Sequence, residues 1–168
     1  MSQEFFDVAA QRRSVRQFRA DPVPDVDLKR MLDAARLAPS GCNRQRWQFV
    51  VLRDPEAIAW FGDYPDMAWL QKAPALVLFC LDPSTEYWRE DGSAAIQNFM
   101  LAATALGYGT CWVQGQIVPY EEQLRQRFGV PEEWRVLAAV PVGQPTAEPK
   151  MPKKKSLSDV LSFEQFEN

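Results

Sequence analysis

Histidine is absent from this 168-residue chain. Its absence removes imidazole as a general base, the Ser-His-Asp and Cys-His arrangements that activate a nucleophile, and His-ligated zinc. Cysteine is scarce. Cys42, Cys80 and Cys111 are odd in number and far apart, with no Cys-x-x-Cys pair, so three reduced thiols are expected, with neither a disulfide framework nor a zinc or iron-sulfur site. No apolar run is long enough for a transmembrane helix, and the first residues lack the basic and apolar segments of an export signal; a cytoplasmic protein with no membrane partner is expected. Positive charge is not in excess either. A net charge of -3 and a pI near 5.1 leave no broad basic surface, which argues against nucleic acid as the main partner and makes any basic cluster local. A bound organic cofactor is then the simplest source of reactivity, because it carries the chemistry while the protein positions and tunes it.

What is present fits one globular domain over residues 1–168: 46% of the chain is hydrophobic and 24% charged, with no internal repeat or low-complexity segment. Residues 5–12 read as a short helix and residues 13–24, with two prolines, as an extended connection. Asp25 reads as the cap of a helix over 26–38, where Val26, Leu28, Met31, Leu32, Ala35 and Leu37 recur at helical spacing until Pro39. Residues 47–52 and 75–81 are β-branched and aromatic runs suited to buried strands, with one or two short helices between them over 55–72. Residues 92–106 are apolar almost all round, so this helix is expected to be buried on more than one side, as at a subunit interface. Further strands are expected at 110–113 and 135–142, with a helix over 120–128 ended by Gly129 and Pro131. The stretch 144–155 carries three prolines and four lysines and reads as an extended arm.

Four constellations could carry chemistry. Arg12-Arg13-Ser14-Val15-Arg16 places three guanidinium groups and a hydroxyl in one short stretch; such forks suit phosphate oxygens, and a solvated basic surface is the plainer reading. Residues 38–47 form a polar turn whose backbone groups, with the Asn43 and Gln45 amides, could face a planar heterocycle; an ordinary helix-to-strand connection would look the same. Within it, Cys42 reads as a small buried filler, with no adjacent base to activate it. Gly107-Tyr108-Gly109-Thr110-Cys111-Trp112 begins like a dinucleotide fingerprint but has Trp112 at the third glycine and leads from helix into strand, so a Rossmann site is rejected. Lys153, Lys154 and Lys155 are either a solvated tail or a second phosphate clamp.

Taken in order, Arg12-Arg13-Ser14-Val15-Arg16-x-Phe18, Ala35-Arg36-x-Ala38-Pro39-Ser40-Gly41-x-Asn43-x-Gln45-x-Trp47, Ala94-Ala95-Ile96-Gln97-Asn98, Gly107-x-Gly109-Thr110-Cys111-Trp112, Val142-Gly143-Gln144-Pro145 and the basic tail resemble the nitroreductase family over nearly the whole chain. The resemblance implies an α+β fold, a mixed, mainly antiparallel sheet flanked by helices, in an intertwined homodimer whose chains exchange extended C-terminal arms, here residues 144–168. It implies bound FMN at the interface, NADH or NADPH as electron donor, and a small organic acceptor such as a nitroaromatic, a quinone or free flavin, reduced by a ping-pong mechanism. Arg12, Arg13, Ser14 and Arg16 would hold the FMN phosphate, ribityl chain and pyrimidine edge. Pro39, Ser40, Gly41 and Asn43 would come from the partner chain, Gln114 and Gly115 would face the flavin N5, and Lys154 would touch the phosphate. No side-chain acid or base is then required, and Arg16 is the expected electrostatic stabiliser of charge developing at the pyrimidine edge. Arg46 stands where many relatives have proline, Lys154 replaces the usual arginine, and the chain lacks the helices that cover the site in larger members. These departures keep in view a flavin- or deazaflavin-binding protein without its own turnover, flavin fragmentation and reductive dehalogenation.

Overall fold

The computed structural model describes residues 2–166. Its helices are α1 (Ser2–Gln11), α2 (Asp25–Arg36), α3 (Pro55–Ala59), α4 (Trp88–Ala105) and α5 (Glu121–Phe128). Its strands are β1 (Trp47–Leu52), β2 (Ala75–Leu81), β3 (Gly109–Thr110) and β4 (Arg135–Gly143). All strand pairs are antiparallel, in the order β1-β2-β4-β3, and a single parallel bridge joins Ser14 to Thr110 beside the β3 edge. No helix of the described residues is long and apolar enough to cross a membrane.

Alternation along β2 explains why the sheet is covered on both faces. Ala75, Val77, Phe79 and Leu81 face a cluster built with α2 and α4, where Met31, Ala35, Ile96 and Phe99 are fully buried. Leu76, Leu78 and Cys80 face a second cluster with Phe61, Met67, Leu70, Ile117 and Leu124. Each large apolar side chain removed from water in this way contributes on the order of 1.5 to 3 kcal/mol. The register of β2 against β4 slips between Phe79 and Cys80, which pair with Ala138 and Val136 and leave Leu137 extra. The bulge turns Leu137 toward α4, and Gly92 makes room for it: a Cβ there would stand 2.5 Å from Leu137 Cδ2 and 2.9 Å from Leu81 Cδ2.

Several boundaries differ from the sequence expectation for identifiable reasons. Asp25 is not a cap; Pro24 precedes the helix, no side chain caps it, and Asp25 opens its first turn, favourably placed for the helix dipole and paired with Arg53. Helix α4 begins at Trp88, four residues early, because the polar turn Trp88 to Asp91 joins it with Glu90 and Asp91 at its positive end. Within one chain α4 is covered by the sheet beneath and by α2 alongside, where Asn98 Nδ2 donates to the Ala34 carbonyl at 3.2 Å, while Gln97 and Ala105 stay exposed. Regular pairing at residues 110–113 stops after Thr110, and Val113 makes only an isolated bridge to Ala139. The 55–72 stretch forms α3 and two 3-10 turns, Trp60–Asp63 and Ala68–Lys72. Past β4 the chain is tied to residues 17–19 by Arg19 N to Gln144 O (2.8 Å) and Thr146 N to Gln17 O (3.2 Å). It then runs extended, broken by one 3-10 turn, Leu157–Asp159, which a Ser156/Asp159 capping box starts.

Candidate cofactor site

The segment leaving α1 is drawn out beside β3 by the Val15 N–H, which donates to Thr110 O at 2.8 Å. An extended chain sends successive side chains to opposite sides, and this sorts the arginines. Val15 is buried so close to Gly109 that a Cβ there would stand 2.6 Å from Val15 Cγ2. Arg13 folds back on the same side: Nη1 donates to Ala10 O (2.6 Å) and Arg12 O (2.7 Å), Nη2 lies 2.7 Å from Met151 Sδ, and the buried Nε has no partner. Alternation sends Arg12, Ser14 and Arg16 to the opposite side of the segment. Burial pushes the Cys111 thiol above its ordinary pKa, and Arg16, a hydrogen bond from the Ser14 side chain and Arg12 oppose that rise. Among the described residues neither Arg12 nor Arg16 has a carboxylate partner. Two unneutralised guanidinium groups flanking a hydroxyl are the donor set an anionic phosphate group requires.

Cys111 opens the turn that carries Gln114 and Gly115. Trp112 Nε1 donates to Gln114 Oε1 (3.1 Å), and the Gln114 carbonyl accepts from Ile117 N (3.0 Å) and Val118 N (3.3 Å). The N–H groups of Gln114 and Gly115 engage no acceptor among the described residues, and nothing lies within 4 Å of a Cβ placed on Gly115. The turn therefore offers two backbone donors and room for a ligand beside them. A groove of about 330 Å³ runs along Ser14, Arg16 and Gln17 to Thr146 and Lys150. Lys150, not Lys154, is the lysine that lines it; Lys154 is exposed, with no partner among the described residues.

The second candidate region is the loop that precedes β1. Cys42, Asn43 and Gln45 adopt left-handed backbone at φ 52°, 53° and 51°, a conformation costing a non-glycine residue on the order of 1 kcal/mol. Internal bonds offset that strain: Asn43 N to Ser40 O (2.8 Å), Arg44 N to Gly41 O (3.2 Å) and Gln45 N to Ser40 Oγ (3.0 Å). The Gln45 amide donates to Asn43 Oδ1 at 3.2 Å, and the amide nitrogen of the exposed Asn43 donates to no acceptor among the described residues. Cys42 is exposed rather than a buried filler, because the left-handed turn carries it out of the core. Two carboxylates beyond β2 bolt the loop down. Asp91 Oδ1 accepts the Gly41 N–H at 2.9 Å, and Arg46 pairs with Asp82 and donates to Ser84 Oγ at 3.3 Å. The Ser84 backbone N–H, which outweighs the opposing desolvation, holds the Asp82 carboxyl below its usual range, with the Ser84 hydroxyl and Arg46 adding in the same direction. Arg46 thus ties the end of the loop to Asp82 by an ion pair.

The structure lines one groove with Ser14 and Arg16, ties their segment to Thr110 shortly before Gln114 and Gly115, turns Arg13 back onto α1, and sets Pro39, Ser40, Gly41 and Asn43 apart. The loop is anchored at the first turn of α4, whereas β3 follows its last turn. That separation is about 20 Å along the helix. The length of β2 agrees, since β1 begins opposite Leu81 whereas Gly143, the partner of Gly109, lies just beyond the Ala75 pairing. The roles of Asp91 and Asp82 are not legible in the sequence, because each joins residues distant in the chain.

An antiparallel sheet with helices on both faces defines the class: an α+β protein. Residues 9–92 and 67–144 match the nitroreductase family profile. The chain belongs to the nitroreductase family, a family of oxidoreductases. It is 36% identical over 146 residues to an Archaeoglobus fulgidus protein provisionally named NADH dehydrogenase/NAD(P)H nitroreductase, covering 82% of this chain and 83% of the relative. It is 28% identical to an iodotyrosine deiodinase of Thermotoga neapolitana, covering 94% and 98%. Among solved structures it is similar to an FMN-dependent nitroreductase of Clostridium difficile, with a TM-score of 0.83, 26% identity, and coverage of 96% of this chain and 99% of the other.

Proposed function

We propose that residues 1–168 act as one FMN-binding domain that passes electrons from NADH or NADPH to a small organic acceptor, a nitroaromatic, a quinone or free flavin, by a ping-pong mechanism. The observation that carries this reading is that Arg12 and Arg16, without carboxylate partners among the described residues, flank Ser14 on a segment bonded to Thr110, four residues before Gln114 and Gly115 with their free amides. The flavin, when bound, supplies the hydride chemistry that a chain without histidine lacks. Arg12 and Ser14 bind its phosphate and ribityl portion, and Arg16 places positive charge where negative charge develops on reduction. The Gln114 and Gly115 amides orient the ring. Arg13 contributes through α1 and Met151 rather than by contact, and Lys150 or Lys154 completes the phosphate end.

The second half of the site comes from a second copy of the chain, in a cytoplasmic homodimer. Two features support this. Pro39, Ser40, Gly41 and Asn43 lie too far from Arg16 in the same chain to share one ring with it. Residues 144–166 form an arm whose Leu157, Val160, Phe163 and Phe166 are 65 to 88% exposed, and Phe5 and Phe6 of α1 are also exposed, at 57% and 64%. Apolar surface on that scale needs a covering partner.

The test is the visible spectrum of the purified protein with FMN, before and after anaerobic NADH or NADPH. Flavin absorbance that bleaches with either donor supports the reading. A protein that binds no FMN refutes it, and flavin held but never reduced leaves a binding protein without turnover. The similarity to an iodotyrosine deiodinase favours one second reading, reductive dehalogenation, which halide release from halogenated phenols would reveal.

A further inference from the structure

We infer that Asp91 is the positioning residue of the loop that carries Pro39, Ser40 and Asn43, setting by one hydrogen bond where these groups stand for the flavin. The inference rests on the proposed flavin site. Asp91 is among only three buried polar residues of the described chain, at 8% exposure. A carboxylate in a first helical turn ordinarily faces its own helix N–H groups or water. This one instead accepts the N–H of a residue fifty positions earlier, Gly41, at 2.9 Å.

The loop's own bonds give it a shape, but they do not fix that shape to the rest of the molecule. Asp91 does so at one end and the Arg46–Asp82 pair at the other. The helix end that holds Asp91 is closely packed, because Gly92 leaves no room for even a Cβ between Leu81 and Leu137. Gly41 comes so near the Tyr87 ring that a Cβ there would stand 3.2 Å from Tyr87 Cδ2, which is why the close approach to Asp91 falls at a glycine. Release of the Gly41 N–H would let three strained left-handed residues relax and carry Ser40 and Asn43 out of place.

The experiment compares the full chain with Asp91→Asn, Asp91→Ala and the control Asp33→Ala, which removes only an exposed pair with Arg36. FMN affinity is read by fluorescence quenching, and amide hydrogen exchange of residues 40–45 is read without FMN. Asp91→Ala is expected to weaken FMN binding about tenfold or more, with faster exchange confined to the loop. Asp91→Asn, which keeps an oxygen acceptor, is expected to stay within about threefold of the parent, as is Asp33→Ala. Should Asp91→Ala not fold, Asp91→Ser takes its place with the same expectation. An Asp91→Ala protein that binds FMN like the parent overturns the inference, as does an Asp91→Asn protein as weak as Asp91→Ala. If the parent binds no FMN, the flavin reading falls. Faster loop exchange in Asp91→Ala then still supports the anchoring role, and unchanged exchange overturns it.

Discussion

Replacing Arg16 by alanine separates a ligand-binding arginine from a structural one. The Arg16 side chain is exposed and has no carboxylate partner among the described residues, so its loss breaks no internal ion pair. The FMN-free protein should keep its stability to within about 0.5 kcal/mol, as for surface substitutions away from special features. A hydrogen bond to a charged group is worth roughly 1.5 to 3 kcal/mol, so FMN binding should weaken about tenfold to 150-fold. Arg16→Lys should fall between, because it keeps the charge and loses the fork. Arg19 is the internal control: it lies three residues on and is already paired with Asp21 at 2.8 Å, so Arg19→Ala should leave FMN affinity unchanged. Fluorescence titration gives the affinities and thermal melting of the FMN-free proteins gives the stabilities. Unchanged affinity in Arg16→Ala, or equal weakening in Arg19→Ala, would refute the assignment.

Gly92→Ala should destabilise the fold by about 1 to 3 kcal/mol, measured by urea unfolding, because the new methyl would press on Leu137 and Leu81 in a filled core; an unchanged midpoint would contradict the bulge-and-glycine fit. Burial, with a smaller effect of Glu121, pushes the Cys80 thiol from an ordinary 9.0 to about 12. The unfolded chain therefore releases this proton first, and stability that is intact below pH 9 should fall as pH rises toward 12, by at most about 1.4 kcal/mol per pH unit. Cys80→Ala should flatten that alkaline slope in unfolding experiments between pH 7 and 10, while Cys111 and Tyr108, both also raised by burial, contribute in the same direction. Removal of residues 156–168 should shift light-scattering mass from dimer to monomer; an untruncated chain that is already monomeric, or a truncated one that stays dimeric, would contradict the arm's role.

Strands β1 and β2 were legible to the residue, because Trp47–Leu52 and Ala75–Leu81 are apolar runs closed by polar or proline neighbours, with β2 buried on both faces and β1 half-buried at the sheet edge. Helix α2 was legible within two residues at its end from its spacing. Strand β3 was overextended because an apolar run does not say where pairing stops, and pairing depends on the path of β4. The motifs of the site were legible in order and composition. Their division was not: that Arg13 turns away depends on the extended geometry of residues 12–16, and that the Pro39 to Asn43 turn stands at the far end of α4 depends on how β1, β2 and α4 assemble. Asp91 gave no local signal, since its partner is fifty residues away.

A crystal structure with FMN tests the central claim most directly. The account expects Arg12, Ser14 and Arg16 of one chain within hydrogen-bond distance of the flavin, with Ser40 and Asn43 supplied by the second chain. A flavin held by one chain alone, or bound away from Arg16, would contradict it.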